Sequence, residues 1–183
     1  MQILLKSRLI SAEQNIKFNE NSRAYVNLND PEPRNVFLRS AFEPDFFNVT
    51  KPFLPPKGVY FDLGANMGFC SFGLVPDYPD LSYHLFEANP NLISLLKKSI
   101  ELYPYQNLIL NHACVSDKVG TTRFQLELDQ SGQSHVSTRQ DSGIEVTNVA
   151  LDEYCNEQAL DCVDFAKIDL EGHELPALVG WRK

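Results

Sequence analysis

Long apolar runs, basic runs and paired cysteines are all missing from this chain, and each absence removes a class of function. No stretch reaches the roughly 20 apolar residues that cross a bilayer, so no membrane span is expected. The first ten residues, Met1 to Ile10, are broken by Lys6 and Arg8 and lack a small-residue cleavage site, so they do not read as a signal peptide. Sixteen Lys and Arg stand against 24 Asp and Glu, a net charge of −8. That balance, with no basic run, argues against nucleic acid or an anionic membrane as a partner. Cys70, Cys114, Cys155 and Cys162 form no C-x-x-C pair and share no metal-ligand spacing with histidine. Reduced, mostly buried thiols in a cytoplasmic protein are the expectation. The G-x-G-x-x-G fingerprint of a dinucleotide site is also missing.

The composition that remains is globular, with 43% hydrophobic and 22% charged residues. At 183 residues the chain has the size of one domain with a sizeable core. Residues 1–57 carry no motif and read as an N-terminal cap segment, with a turn over Asn27–Pro33 and a short strand then a helix between Val36 and Phe47. Pro52, Pro55 and Pro56 close that segment. Residues 58–183 form the main domain.

Alternation of strand and helix signals defines that domain. Val59–Leu63 is a β-branched and aromatic run suited to a buried strand. A helix over Phe69–Val75 follows, then a strand over Ser82–Glu87. Asn89-Pro90 opens a second helix, with Asn as cap and Pro in the first turn. Leu92, Leu95, Leu96, Ser99 and Leu102 give that helix a buried stripe. A third strand runs from Leu108 towards Val115. Strand, helix, strand, helix, strand predicts an α/β fold: a parallel sheet, right-handed crossovers, helices on both faces. Thr121–Leu128 and Ile144–Val149 read as a further pair of strands flanking a polar loop, and Asp152 as the cap of a short helix.

Two stretches carry chemistry. The first is Asp62-Leu63-Gly64-Ala65-Asn66-Met67-Gly68, a glycine turn between strand and helix. Gly64 lets a ligand approach the backbone, and Gly68 lets the helix pack on the strand. An acid at the strand end repels a pyrophosphate and attracts an ammonium, so the loop suits an amino-acid-bearing nucleotide, S-adenosylmethionine foremost. The plain alternative is a tight turn after a core strand. Glu87 ends the next strand, where a carboxylate can accept both hydroxyls of an adenosine ribose.

The second stretch is Phe165 to Glu174, a strand that ends in Asp169, Glu171, His173 and Glu174 around Gly172. The carboxyl ends of parallel strands are where open α/β sheets bind ligands. Asp169 and Glu171 with His173 are therefore candidate catalytic residues. They allow a divalent metal held by the two carboxylates, a general base at His173, or backbone capping of the next helix, whose buried face would be Leu175, Leu178 and Val179.

Asp62–Gly68, Phe86–Pro90 (FEANP), Leu151–Tyr154 (LDEY) and Lys167–Glu174 (KIDLEGHE) together resemble the FkbM family of S-adenosylmethionine-dependent methyltransferases. The resemblance spans residues 36–183. It implies a class I methyltransferase fold, Rossmann-like, with O-methylation of a hydroxyl on a sugar or secondary metabolite. By position it assigns Asp62, Gly64, Asn66 and Gly68 to the cofactor loop, Glu87 to the ribose and His112-Ala113 to the adenine. It implies sheet order third, second, first, fourth, and further strands after Lys183, so the domain is expected to be truncated, or paired in a homo-oligomer. The competing expectations are a non-catalytic cofactor-binding fragment and a nicotinamide-dependent oxidoreductase.

Overall fold

The computed structural model describes residues 11–127, 130–137 and 143–182. Its centre is a four-stranded parallel sheet built from β3 (Gly58–Leu63), β4 (Leu81–Glu87), β5 (Leu108–His112) and β10 (Phe165–Ile168). The spatial order is β10-β3-β4-β5, which is the expected third, second, first, fourth read from the other edge. β10 lies in register on β3, with Ile168 opposite Leu63, so the two chemical stretches leave the sheet side by side.

Side chains alternate across the sheet, as the period of two requires. Tyr60, Tyr83 and Leu85 join a core formed with α3 (Phe69–Leu74) and α4 (Pro90–Ile100). Phe61, Leu63 and Phe86 join a second core with α5 (Leu151–Glu157), Ala177 of α6 (Glu174–Val179) and Trp181. Both faces of the sheet are thus covered, which is why its strands read as nearly continuous apolar runs. Asn89 caps α4 as its sequence predicts, its side chain accepting from the Asn91 N–H.

The N-terminal segment is a structured layer. β1 (Glu13–Phe18) and β2 (Ser22–Asn27) pair as an antiparallel hairpin. Ser99 Oγ of α4 accepts from the Tyr25 N–H at 2.8 Å, fixing the hairpin over the helix. The expected strand and helix between Val36 and Phe47 are instead two helices, α1 (Pro31–Arg39) and α2 (Pro44–Thr50). The signal for α1 lies in Asp30-Pro31, read in sequence as part of a turn. Asp30 accepts from the Glu32 N–H at 3.1 Å and Pro31 opens the first turn, so Asp30 is an N-cap.

Three other expectations change. The third strand does not run unbroken to Val115: β5 ends at His112, and β6 (Cys114–Val115) crosses into a second sheet of order β6-β9-β7-β8. There β7 (Gly120–Gln125) pairs antiparallel with β9 (Ile144–Val149), the partnership expected from sequence, and with β8 (His135–Val136). Asp152 does not cap α5, whose N-cap is Ala150; its carboxylate accepts from the Arg182 N–H at 3.0 Å. Leu175, Leu178 and Val179 are not the buried face of α6, since they are 73%, 47% and 44% exposed and Ala177 is the buried residue. The expected loop Asp129–Gly143 falls partly outside the described residues. Cys70, Cys114 and Cys155 are buried and Cys162 is exposed. No described helix is long and apolar enough to cross a membrane.

Candidate functional site

The carboxyl ends of the four parallel strands meet one cleft. In sheet order they present Asp169 after β10, Gly64 after β3, Glu87 at the end of β4 and Ala113 after β5. Adjacent strands lie about 4.8 Å apart, so this row spans roughly 14 Å from Asp169 to Ala113. The cleft leaves about 700 Å³ free of protein atoms, open solvent at its mouth included.

Its two ends differ in chemistry. At the β5 end the walls are Ala88, Ala113, Cys114, Phe124 and Val136; Ala88, Cys114 and Phe124 form a small apolar cluster with the second sheet's Val146, and Val136 packs against it. Towards β3 and β10 they are Gly64 and Asn66, with Glu32 on Asn66, and then Asp169, Glu171 and His173.

Glu87 sits between those ends and is nearly inaccessible. Its Oε2 accepts from the Asn66 N–H at 2.6 Å and its Oε1 from the Asn89 N–H at 2.7 Å. Burial raises its pKa, opposed by those two hydrogen bonds and by the charge of Lys167. A carboxylate offers about four lone-pair positions, so two hydrogen bonds leave about two for a ligand.

The glycine turn is held from three sides. Gly64 has φ +77°, and a Cβ there would collide with the carbonyl oxygen of Asp169, so only glycine lets β3 and β10 leave the sheet this closely. Asn66 has φ +50°, a left-handed conformation that asparagine tolerates better than most residues. Its side chain donates to Glu32 Oε2 at 2.9 Å and accepts from Ser131 Oγ at 2.9 Å. The Ser131 N–H donates in turn to Asp30 Oδ2 at 2.9 Å. The polar loop and the first turn of α1 therefore meet over the turn.

Asp62 lies beneath the loop rather than in the cleft. It is 0% exposed and accepts from Ser71 Oγ at 2.6 Å. Its other oxygen faces the Lys167 ammonium at 3.4 Å. Lys167 was not singled out from the sequence, yet it ties the two chemical stretches together. Its Nζ donates to the Gly64 carbonyl at 2.6 Å and lies 3.5 Å from Asp169 Oδ2. Burial pulls the Lys167 pKa down, but the nearby carboxylates of Asp62 and Asp169 outweigh it, and the ammonium form is favoured. The signal that could have found it is parity: in β10, Lys167 stands opposite Asp62 of β3, on the same face of the sheet.

Asp169, Glu171 and His173 all line the cleft. His173 Nε2 is 3.0 Å from Ser116 Oγ, and Ser116 donates to Asp117 Oδ1 at 3.2 Å. A hydroxyl has one proton, so with that proton on Asp117 the ring donates through Nε2, and Nδ1 is its basic atom. Burial lowers the His173 pKa below the ordinary 6.5, against the pull of Asp117 and Glu174, which favours the neutral imidazole. The cap considered for Asp169 and Glu171 is not seen: no side chain caps α6, and Glu174 instead ties down the turn before it. Its carboxylate accepts from the N–H groups of Leu170 and Gly172 at 2.9 and 3.2 Å, and hydrogen bonds to backbone N–H groups lower its pKa. Among the described residues no group of three His, Cys, Asp or Glu side chains is gathered as metal ligands. Of the adenine-side pair, Ala113 lines the cleft, whereas His112 is exposed and does not. Gly68 caps α3 with φ +74° and packs on Phe72 and Leu96, away from the lining.

Comparison with known proteins agrees with this arrangement. Residues 62–183 match the family model described as "Methyltransferase FkbM domain". A curated relative, the 2-O-methyltransferase NoeI of Sinorhizobium fredii (strain NBRC 101917 / NGR234), is 25% identical over 145 residues, covering 70% of this chain and 59% of that protein. The chain thus spans somewhat over half the length of that relative.

Proposed function

This chain belongs to the FkbM methyltransferase family, and we propose that it transfers a methyl group from S-adenosylmethionine to a hydroxyl oxygen of a small molecule, a sugar or a secondary metabolite. One observation carries the cofactor reading. Glu87 keeps about two acceptor positions for a ribose at the centre of the cleft, with an apolar wall on one side and acids on the other. That sequence of surfaces fits adenine, ribose and the ammonium of an amino acid in order. A pyrophosphate fits it poorly, because Glu32, Glu87 and Asp169 all present negative charge.

When bound, the cofactor supplies the electrophilic methyl group. The protein's part is to position the acceptor and remove its proton. His173 is the residue suited to the proton, being neutral near pH 7 and set in the cleft wall by Ser116. Asp169 lies beside the Lys167 ammonium and can orient a hydroxyl. The relative's name supports oxygen as the methylated atom.

Titration calorimetry of the purified chain with S-adenosylhomocysteine and with NAD tests this reading. Binding of the former alone is the expected result. Binding of NAD alone, or of neither, would sink it. Transfer of a labelled methyl group to a panel of glycans and polyketide alcohols then identifies the acceptor.

A further inference from the structure

The family match begins at residue 62, yet the cleft is not built from residues 62–183 alone. Glu32, in the first turn of α1, forms part of its wall. The carboxylate is fixed there: Oε2 accepts from Asn66 Nδ2 at 2.9 Å, while Asp30 caps the helix that carries it. It meets the turn after β3 through Asn66, and β10, the strand beside β3, presents Asp169 to the same cleft. Among the described residues of that wall, no cation is paired with it. Burial and the charges of Asp30, Glu43 and Asp169 all raise its pKa, and only the Asn66 hydrogen bond works against them. Lys167 is committed to Asp62, Asp169 and the Gly64 carbonyl.

A half-buried carboxylate placed among like charges is costly unless a cation joins it. The row of strand ends says which cation. With a ribose on Glu87 and a base against Ala113 and Phe124, the remainder of the ligand extends past Gly64 towards Asp169 and Glu32. We propose that Glu32 and Asp169 together hold the α-ammonium of the cofactor's amino-acid end, so that the N-terminal segment supplies a cofactor-positioning residue. The inference rests on the cofactor reading given above. It gives residues 11–57 a binding role beyond covering α3 and α4.

The test compares two ligands on two proteins by calorimetry. The ligands are S-adenosylhomocysteine and 5′-S-(3-carboxypropyl)-5′-thioadenosine, which differs only in having hydrogen in place of the amino group. Both keep the α-carboxylate, so any repulsion between it and Glu32 is common to the pair. The wild-type chain should prefer S-adenosylhomocysteine by about tenfold or more, the scale of a charge-assisted hydrogen bond. E32Q keeps an oxygen that accepts from Asn66 but loses the charge. It should bind S-adenosylhomocysteine about tenfold more weakly and the desamino ligand as well as before, or better. Equal weakening towards both ligands would show that Glu32 only supports the glycine turn, and no weakening towards either would remove it from the site. Both outcomes overturn the inference. If E32Q does not fold, D169N is measured in the same way, and equal affinity of the wild type for the two ligands overturns the proposal without any variant. A wild type that binds neither ligand falsifies the cofactor reading itself, which is a distinguishable failure.

Discussion

Replacing Lys167 with methionine tests the joint between the two chemical stretches. Asp62 is wholly buried and Lys167 is 14% exposed, with 3.4 Å between their charges. Lys167→Met keeps much of the side-chain volume but strands the Asp62 carboxylate, leaving it only the Ser71 hydroxyl. Removing one partner of a buried pair costs about 3–5 kcal/mol. For a chain of this length each kcal/mol lowers the unfolding midpoint by about 2–4 °C, so the expected fall is roughly 6–20 °C. Thermal unfolding followed by circular dichroism reads it directly. The double variant D62N/K167M removes both charges and should recover at least half of the loss. The sign of the pH dependence is fixed by the raised Lys167 pKa. A cation favoured by folding contributes fully below the ordinary lysine value of about 10.5 and fades as pH rises through the folded value. The gap between wild type and Lys167→Met should therefore hold from pH 6 to pH 9 and close only in stronger alkali. A midpoint within about 3 °C of wild type at pH 7, or a double variant as unstable as the sum of the single ones, would refute the argument.

Three further outcomes follow from the same geometry. Glu87→Ala should weaken S-adenosylhomocysteine binding by roughly 1–3 kcal/mol, measured by calorimetry, because it removes the central acceptor of the cleft. Gly64→Ala should lower the unfolding midpoint: a left-handed alanine costs about 1–2 kcal/mol, and its Cβ meets the Asp169 carbonyl, so amide exchange in β10 should accelerate. His173→Ala should cut methyl transfer about 10²–10⁴-fold. The wild-type rate should fall on its acid side at a pH below the ordinary histidine value, where the neutral ring is lost, and the variant should lack that limb.

The sheet was legible because its strands and helices carry strong local signals: the aromatic run before Gly64, the Asn89-Pro90 start and the stripe from Leu92 to Ser99. The glycine turn, Glu87 and the acids after β10 were legible because their chemistry lies at strand ends, which alternation locates. What sequence could not show was set by contacts between distant segments. Asp30 and Glu32 look like loop residues until α1 is seen against Asn66 and Ser131. Lys167 looks like a solvated strand charge until β10 is laid on β3 in register. Asp62 seemed to face the ligand because it precedes the turn, but the parity of β3 turns its carboxylate under the loop, towards Ser71 and Lys167. The helix after Gly172 seemed to bury its leucines, but only Ala177 of α6 is fully inside.

The pairing of β10 with β3 also orders events during synthesis. The Val59 N–H donates to Asp164 across 105 positions of chain. At about 5–20 residues per second, ribosomes need roughly 5–20 s to cover that distance. β4 arrives early and closes one side of β3, while the other side, a row of unpaired backbone groups, waits. Until Lys167 and Asp169 emerge, the Gly64 carbonyl lacks the Lys167 ammonium, and the turn lacks the Asp169 carbonyl that packs against it. The nascent chain therefore carries an open, aromatic-rich strand edge for seconds, the kind of surface that chaperones keep apart from other nascent chains before the cleft exists.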